Sequence, residues 1–147
     1  MNNNIILDLS SGWEFKKHNS NEFLSAKVPG CIHLDLLNHK LIPDPFFGVN
    51  EKELQWISDN NWVYRLKFSV NQDLISKQYK QLTFFGIDTF ASVYLNGSKI
   101  IEANNMFHPW ESDLNNILKL GENIIEIEFR SPLKETSPKL KNLDYAL

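Results

Sequence analysis

The sequence predicts an all-β fold: a jelly-roll β-sandwich with short helices in its connections. Several segments alternate apolar and polar residues with a period of two, which is typical of strands with one buried face. Aromatic residues make up 12% of the 147 residues, and such rings fit pleated surfaces well. No long helix separates successive strand segments, so a parallel α/β fold is disfavoured.

The amino-terminal third predicts one strand and two short helices. Residues 5–15 alternate as a strand that bends at Gly12. Residues 32–42 suit a short helix that ends before a proline. After the loop DPFFG, Asn50 is expected to cap the first turn of a second helix, and Glu53 to reach back to the cap amide. Leu54 and Ile57 would then face the core.

The remaining segments supply the other predicted strands. WVYRLKFSV, residues 62–70, is the clearest, and QLTFFGI follows. FASVYLNGSKII reads as a hairpin, because Asn96-Gly97 suits the two positive φ angles of a type I′ turn. The loop after the hairpin, through Trp110, is not expected to be a regular strand. DLNNILKLGEN predicts a helical turn, and IIEIEFRS a last strand.

Composition excludes some classes of partner. The formal net charge is −3 and the basic residues are scattered, so no nucleic acid partner is expected. No apolar stretch approaches the length of a membrane span, and no secretory signal is visible, so a cytoplasmic protein without a membrane partner is expected. Cys31 is the only cysteine, which leaves no internal disulfide.

No catalytic residue is predicted within this chain. Retaining sugar hydrolysis needs two carboxylates about 5 Å apart, and no spacing singles out such a pair. Local roles explain the acidic residues that cluster in sequence. Asp35 is expected on a solvated face, Asp44 in a turn beside Pro45, and Glu53 at a helix start.

Metal and cofactor sites are likewise not predicted. His33-Leu34-Asp35 with His39 lacks the third matched ligand of a zinc site. Cys31 is expected to be a small buried residue rather than a nucleophile, since no orienting triad accompanies it. The glycines are too widely spaced for a phosphate loop.

Four stretches carry a resemblance to a known family: WEF, VPGCIHLDLLNHKLIPDPFFGVNEKELQWISDNNWVYRLKF, FFGIDTFASVYLNGSKIIEANNMFHPWESDL and LKLGENIIEIEF. In this order, from Leu7 to Phe129, they resemble the N-terminal domain of β-mannosidases. These enzymes belong to the glycoside hydrolase group that also includes β-galactosidase and β-glucuronidase. The stretch LIPDPFFGVNEKELQWI followed by Trp-x-Tyr is typical of the mannosidase branch.

The resemblance implies a galactose-binding-domain-like jelly roll over residues 1–130, with 131–147 as a linker or the start of a truncated remainder. In the family this domain packs against a catalytic (β/α) barrel and an immunoglobulin-like domain, and the catalytic glutamates lie on the barrel. No residue here matches those motifs, so the chain alone is expected to be inactive and its parent a retaining β-mannosidase. An open strand edge is expected to favour self-association.

The resemblance also guides the choice of site residues. Asp44, Asn50 and Trp56 are predicted to lie near a sugar pocket. A second group is predicted to fill one end of the sandwich or contact another domain: Phe46, Phe47, Met106, Phe107 and Trp110. Two alternatives stay open, a free-standing carbohydrate-binding module and a purely structural interaction domain.

Overall fold

The computed structural model describes residues 3–140, with the backbone alone at 138–140. In chain order the elements are β1 Glu14–Lys17, β2 Leu24–Ser25, α1 Ile32–Asn38, α2 Asn50–Glu53, a 3₁₀ turn Gln55–Ile57, β3 Trp62–Val70, α3 Gln72–Ile75, β4 Gln81–Phe84, β5 Ala91–Leu95, β6 Ser98–Ala103, β7 Trp110–Asp113, β8 Gly121–Phe129 and α4 Pro132–Leu140. No helix in this part of the chain is both long and apolar enough to cross a membrane.

Two antiparallel sheets confirm the predicted all-β sandwich. The larger sheet has six strands in the order β2-β1-β3-β8-β5-β6, and β4 pairs with β7 in the smaller one. The inward faces of β5 and β8 are fully buried, with Val93, Leu95 and Ile125 at 0% exposure. Leu82 and Leu114 of the smaller sheet and its flank join the same core. Burial of these aliphatic side chains is the main favourable term in the stability of such a fold.

The centre of the larger sheet is the long pairing of β3 with β8. Its register runs from Trp62 opposite Phe129 to Val70 opposite Gly121. Tyr64, Leu66 and Ile125 are buried on the inward face, as the alternation predicted. Val63 on the other face is also buried. On that face of the sheet Arg130 contacts Ser92 of β5.

The Asn96-Gly97 hairpin is confirmed. Asn96 has φ of 50° and Gly97 of 85°, the left-handed values that join β5 to β6. Asn96 also bonds across to β8, since its Oδ1 accepts the Ile124 amide at 3.0 Å. Asn96 Nδ2 donates to Asn123 Oδ1 at 2.9 Å, which ties the hairpin turn to the start of β8.

The amino-terminal segment differs from the prediction. Residues 5–10 form no strand, and Ile6 is 91% exposed, because no described strand lies beside them to pair with. Trp13 is buried and donates from Nε1 to the carbonyl of Leu9 at 2.6 Å. β1 pairs instead with the two-residue strand β2, which the sequence did not predict.

Two further predictions were wrong in detail. Trp110 begins the regular strand β7, because Pro109 precedes the strand and leaves all four of its residues free to pair with β4. The predicted helical turn is present as a single turn, in which the Ile117 and Leu118 amides both donate to the Leu114 carbonyl, but it ends before Gly121. The amide of Lys119 bonds to the Asn123 side chain instead of a helical carbonyl.

Candidate functional site

One end of the larger sheet gathers four of the candidate residues, Trp56, Met106, Phe107 and Trp110. A row of paired residues marks this end, running from Lys17 of β1 through Trp62 and Phe129 to Ala91 and Ala103. Since strands lie about 4.8 Å apart, the span from β3 to β6 is about 14 Å. We call it the loop end, because the connections 55–61, 85–90 and 104–109 meet the sheet there.

The Asp44–Trp56 segment is organised by its own backbone. Asp44 Oδ1 accepts the Phe46 amide at 2.9 Å, so the predicted turn role of Asp44 is confirmed. Asn50 is not the cap of α2: the cap position is Val49, without a side-chain hydrogen bond. The Asn50 side chain instead bonds to the preceding turn, since its Nδ2 donates to the Asp44 carbonyl at 3.0 Å. Asp44 and Asn50 are thus brought together.

Glu53 also departs from its predicted capping role. It is the last residue of α2 rather than a partner of the cap amide. The segment is anchored to the core instead, because Leu54 and Ile57 are buried as predicted. The indole of Trp62 donates to the Ile57 carbonyl at 3.0 Å, which fixes the segment to the start of β3.

Trp56 is the part of this segment nearest the loop end. Its side chain is 40% exposed, and its ring packs on Trp62 with centroids 6.1 Å apart. Lys17 Nζ lies 5.9 Å from the Trp56 ring centroid. The Trp56 indole thus packs on Trp62 at an interplanar angle of 47° while the residue stays 40% exposed, so part of the ring is accessible to another molecule.

Exposed apolar side chains border this segment. Phe46 is 93% exposed and Phe47 75%, although large rings are usually buried in a folded domain. Leu41 and Val49 nearby are also exposed. Exposed apolar side chains that lie close together in the sequence, as here, are typical of surfaces that another molecule or domain covers.

The loop after the hairpin presents a second exposed ring. Phe107 is 87% exposed, whereas Trp110 is half-buried and packs against the core. Asn105 orders the loop: its Oδ1 accepts the Phe107 amide at 2.7 Å, and its carbonyl accepts the Trp110 indole at 2.9 Å. Thr89 and Met106 bring the 85–90 connection alongside, with 3.8 Å between Oγ1 and Sδ.

Phe85, at 89% exposure, belongs with these side chains but was missed in the sequence. Phe84 and Phe85 are consecutive, and successive strand residues face opposite sides. One of the two therefore had to point outward, a signal that the sequence contained.

The prediction that Asp35 lies on a solvated face is wrong. It is 2% exposed, and its carboxylate accepts the Tyr64 hydroxyl at 2.7 Å and the Lys27 amide at 2.9 Å. Burial first, and then the hydrogen bond to Asp35 and its charge, raise the pKa of the Tyr64 hydroxyl. This contact fastens α1 to β3 and so fixes where the chain enters the Asp44–Trp56 segment.

Among the described residues, the remaining candidates from the sequence form no metal-binding cluster. Within residues 3–140 no group of three His, Cys, Asp or Glu side chains is placed to hold a metal ion. His39 Nε2 lies 2.7 Å from the Ser25 carbonyl. Cys31 is exposed rather than buried, because it occupies the extended position just before α1.

An ionic cluster lies on the outward face of β5 and β6. Glu102 contacts Arg130 and Lys99, and it accepts the Ser92 hydroxyl at 2.7 Å. Burial raises the pKa of Glu102, but hydrogen bonds from Ser92, Lys99 and Arg130 and the charge of Arg130 outweigh it and lower the value to about 2.

The lowered pKa of Glu102 predicts a pH-dependent loss of stability. A depressed carboxyl pKa stabilises the fold above the unfolded value of 4.5, and this contribution is lost as pH falls toward 2. Glu102 is 48% exposed, so screening holds the effect to about 1 kcal/mol or less. Urea unfolding of Glu102→Gln between pH 6 and pH 2 should lack this component. Glu126→Gln on the same face, without an ion pair among the described residues, should retain it.

The chain is similar in sequence to known β-mannosidases. The chain is 36% identical to a β-mannosidase of Capra hircus over 129 residues, which is 88% of this chain and 15% of that protein. It is 37% identical over 131 residues to a probable β-mannosidase of Caenorhabditis elegans, 89% of this chain and 14% of that one. The chain therefore spans about 15% of the length of these curated relatives.

Solved structures agree with the sequence relatives. A crystal structure of β-D-mannosidase from Dictyoglomus thermophilum has a TM-score of 0.91 and 46% identity, covering 95% of this chain and 17% of that one. A β-D-glucuronidase of Dictyoglomus thermophilum has a TM-score of 0.62 at 23% identity over 84% of this chain and 19% of that one, a likeness of fold alone.

The family match extends over most of the chain. Residues 13–147 match the family described as glycosyl hydrolase 2 galactose-binding domain-like. The strand pairing, the hairpin turn and the four stretches quoted for the resemblance all lie within this match. The chain belongs to the glycosyl hydrolase 2 galactose-binding domain-like family.

Proposed function

We propose that this chain is the non-catalytic N-terminal domain of a glycoside hydrolase that acts on terminal β-D-mannosides. The observation that carries the proposal is the 46% identity and TM-score of 0.91 to a β-D-mannosidase of which the chain covers only 17%. Likeness to a β-D-glucuronidase at 23% identity supports the fold but not that substrate.

The role proposed for the loop end and for the exposed rings of the Asp44–Trp56 segment is contact with other domains of the same polypeptide, a catalytic barrel and an immunoglobulin-like domain. Its support is the exposure of Phe46, Phe47 and Phe107, which are 75% to 93% exposed in the domain by itself. Aromatic side chains are enriched at buried interfaces, where they supply much of the binding energy.

Asp44, Asn50 and Trp56 are proposed to lie near the sugar. The Asn50–Asp44 hydrogen bond holds this part of the segment in one conformation, and the half-exposed Trp56 offers a ring for stacking. These three residues would orient substrate or shape the pocket wall, while the reacting carboxylates come from the barrel. A free-standing carbohydrate-binding module is the alternative that the exposed Trp56 also supports.

A chimera tests the proposal directly. This chain would replace the matching segment of the Dictyoglomus thermophilum β-D-mannosidase, and hydrolysis of an aryl β-mannoside would be measured. We expect kcat within about tenfold of the parent enzyme, because an interchangeable domain preserves the pocket geometry. The 147-residue chain alone should give no turnover.

Matched variants separate docking from substrate contact. Phe46→Lys with Phe47→Lys should lower the melting temperature of the chimera, because two charges enter a buried interface. Trp56→Phe, which keeps a ring against Trp62, should raise KM with little change in that temperature. An inactive chimera that is nonetheless folded would contradict the proposal, and mannose binding by the isolated chain would favour the module.

A further inference from the structure

Ser131 is a buried serine that joins two distant parts of the loop end. It follows β8 and precedes α4, and it is 1% exposed. Its hydroxyl donates to the Ser58 carbonyl at 2.6 Å, and its amide donates to Asn61 Oδ1 at 2.8 Å. Both partners lie in the 55–61 connection, which carries Trp56. Two hydrogen bonds from one residue therefore fix this connection to the turn after β8.

Three consecutive carbonyls of the connection are bound by side chains. The Trp56 carbonyl accepts Asn60 Nδ2 at 2.6 Å, and the next carbonyl accepts the Trp62 indole at 3.0 Å. The third is the Ser58 carbonyl, which accepts the Ser131 hydroxyl. Asn60 and Trp62 follow within a few residues, whereas Ser131 lies 73 residues further along the chain. Ser131 is thus the long-range member of the set that holds the backbone at Trp56.

The same hydroxyl also holds the start of α4. Ser131 Oγ accepts the Lys134 amide at 3.3 Å, which is the geometry of a serine that caps the first turn of a helix. A serine hydroxyl has a single hydrogen to donate, and here that hydrogen goes to the Ser58 carbonyl. Alanine at this position would leave both the carbonyl and the helix amide without their partner.

We propose that Ser131 is a positioning residue, which holds the connection so that the Trp56 ring meets the sugar. The inference rests on the function proposed above, in which Trp56 lies near the substrate. Ser131 itself is buried and its hydroxyl is engaged by the backbone, so it acts through Trp56. A displacement of about 1 Å is enough to weaken productive binding. Loss of the hydroxyl should therefore affect substrate binding rather than bond cleavage.

Ser92 provides a matched control. It is also a buried serine, at 4% exposure, and its hydroxyl donates to Glu102 and accepts from Arg130 Nη1 at 2.7 Å. Because Arg130 adjoins Ser131, Ser92→Ala disturbs the same turn after β8. It removes no bond to the connection that carries Trp56.

Amide hydrogen exchange on the 147-residue chain tests the positioning alone. The Asp59 amide donates to the Trp56 carbonyl at 3.2 Å, and the Asn60 amide donates to the carbonyl after it at 3.3 Å. Exchange of these two amides therefore reports on opening of the connection. We expect Ser131→Ala to speed both at least about fivefold. Ser92→Ala should leave both unchanged.

Asn61 supplies a second test that keeps the Ser131 hydroxyl. Asn61→Ala removes the acceptor of the Ser131 amide, so it should speed exchange of the same two amides. Asn61→Asp keeps a side-chain oxygen in that place and should exchange as the parent chain does. Its charge is accommodated, because Lys17 and Lys134 line the small cavity beside Asn61.

The chimera shows whether the positioning affects the substrate. Ser131→Ala should raise KM for the aryl β-mannoside about threefold or more, with kcat within about twofold of the parent chimera. In a Trp56→Ala background the same change should leave KM unaltered, because the ring that Ser131 positions is gone. Ser92→Ala should change neither constant.

Two results would overturn the inference. One is exchange of the Asp59 and Asn60 amides at the parent rate in Ser131→Ala. The other is a rise in KM from Ser131→Ala that is equally large with and without the Trp56 ring. Failure of the proposed function gives a different pattern, in which Trp56→Ala itself leaves KM unchanged while exchange still shows whether Ser131 holds the connection.

Discussion

Asp35→Ala should cost about 3 kcal/mol of unfolding free energy, because it leaves the buried Tyr64 hydroxyl and the Lys27 amide without their acceptor. The Tyr64 hydroxyl, 2.7 Å from Asp35 Oδ2, and the Lys27 amide, 2.9 Å from Oδ1, would lose their acceptor together. Asp35 is 2% exposed and Tyr64 8%, so water would not reach the Tyr64 hydroxyl without local opening. Urea unfolding at neutral pH, followed by tryptophan fluorescence, measures the loss.

A double-mutant cycle shows whether the pair accounts for the cost. Tyr64→Phe alone should destabilise by about 1 to 2 kcal/mol, since Asp35 keeps the Lys27 amide. In the Asp35→Ala background the same change should cost much less, because no buried hydroxyl remains to satisfy. Strictly additive losses would show that the two side chains do not act through their hydrogen bond.

The elements that the sequence predicted well are those whose pattern is local and complete. β3 alternates over nine residues, and the Asn96-Gly97 turn needs only the two residues that form it. Residues 5–10 alternate as well, but a strand needs a neighbour to bond with, and local alternation contains no information about one. The short strands β2 and β7 form because they pair with β1 and β4, which lie beside them.

The candidate site shows the same difference between local signals, which the sequence contains, and long-range contacts, which it does not. Asp44 was placed in its turn because an aspartate beside a proline acts through its own backbone. The burial of Asp35 was missed because its partner Tyr64 is 29 residues away. Tyr64 did contain a signal, since an inward-facing tyrosine needs a partner for its hydroxyl. Asp44, Asn50 and Trp56 stay predictions as residues near the sugar.

Asn123→Asp should destabilise the domain by about 3 to 4 kcal/mol at pH 7, because it places a carboxylate against two carbonyl oxygens. Asn123 is fully buried, and its Nδ2 donates to the Lys119 carbonyl at 2.8 Å and to that of Gly121 at 3.1 Å. Its Oδ1 accepts from Asn96 and from the Lys119 amide. An aspartate keeps the acceptors but turns both donations into repulsions.

The destabilisation by Asn123→Asp should depend on pH, which distinguishes it from loss of packing. Burial beside carbonyls raises the pKa of the new carboxyl in the folded state, while the unfolded value is about 3.9. The penalty therefore grows as pH rises above that unfolded value and shrinks at pH 4, where the folded protein holds the proton. Asn123→Leu, which removes the hydrogen bonds without adding a charge, should cost the same at both pH values. Equal losses for Asn123→Asp at pH 4 and pH 7 would show that the amide donors are not what this side chain contributes.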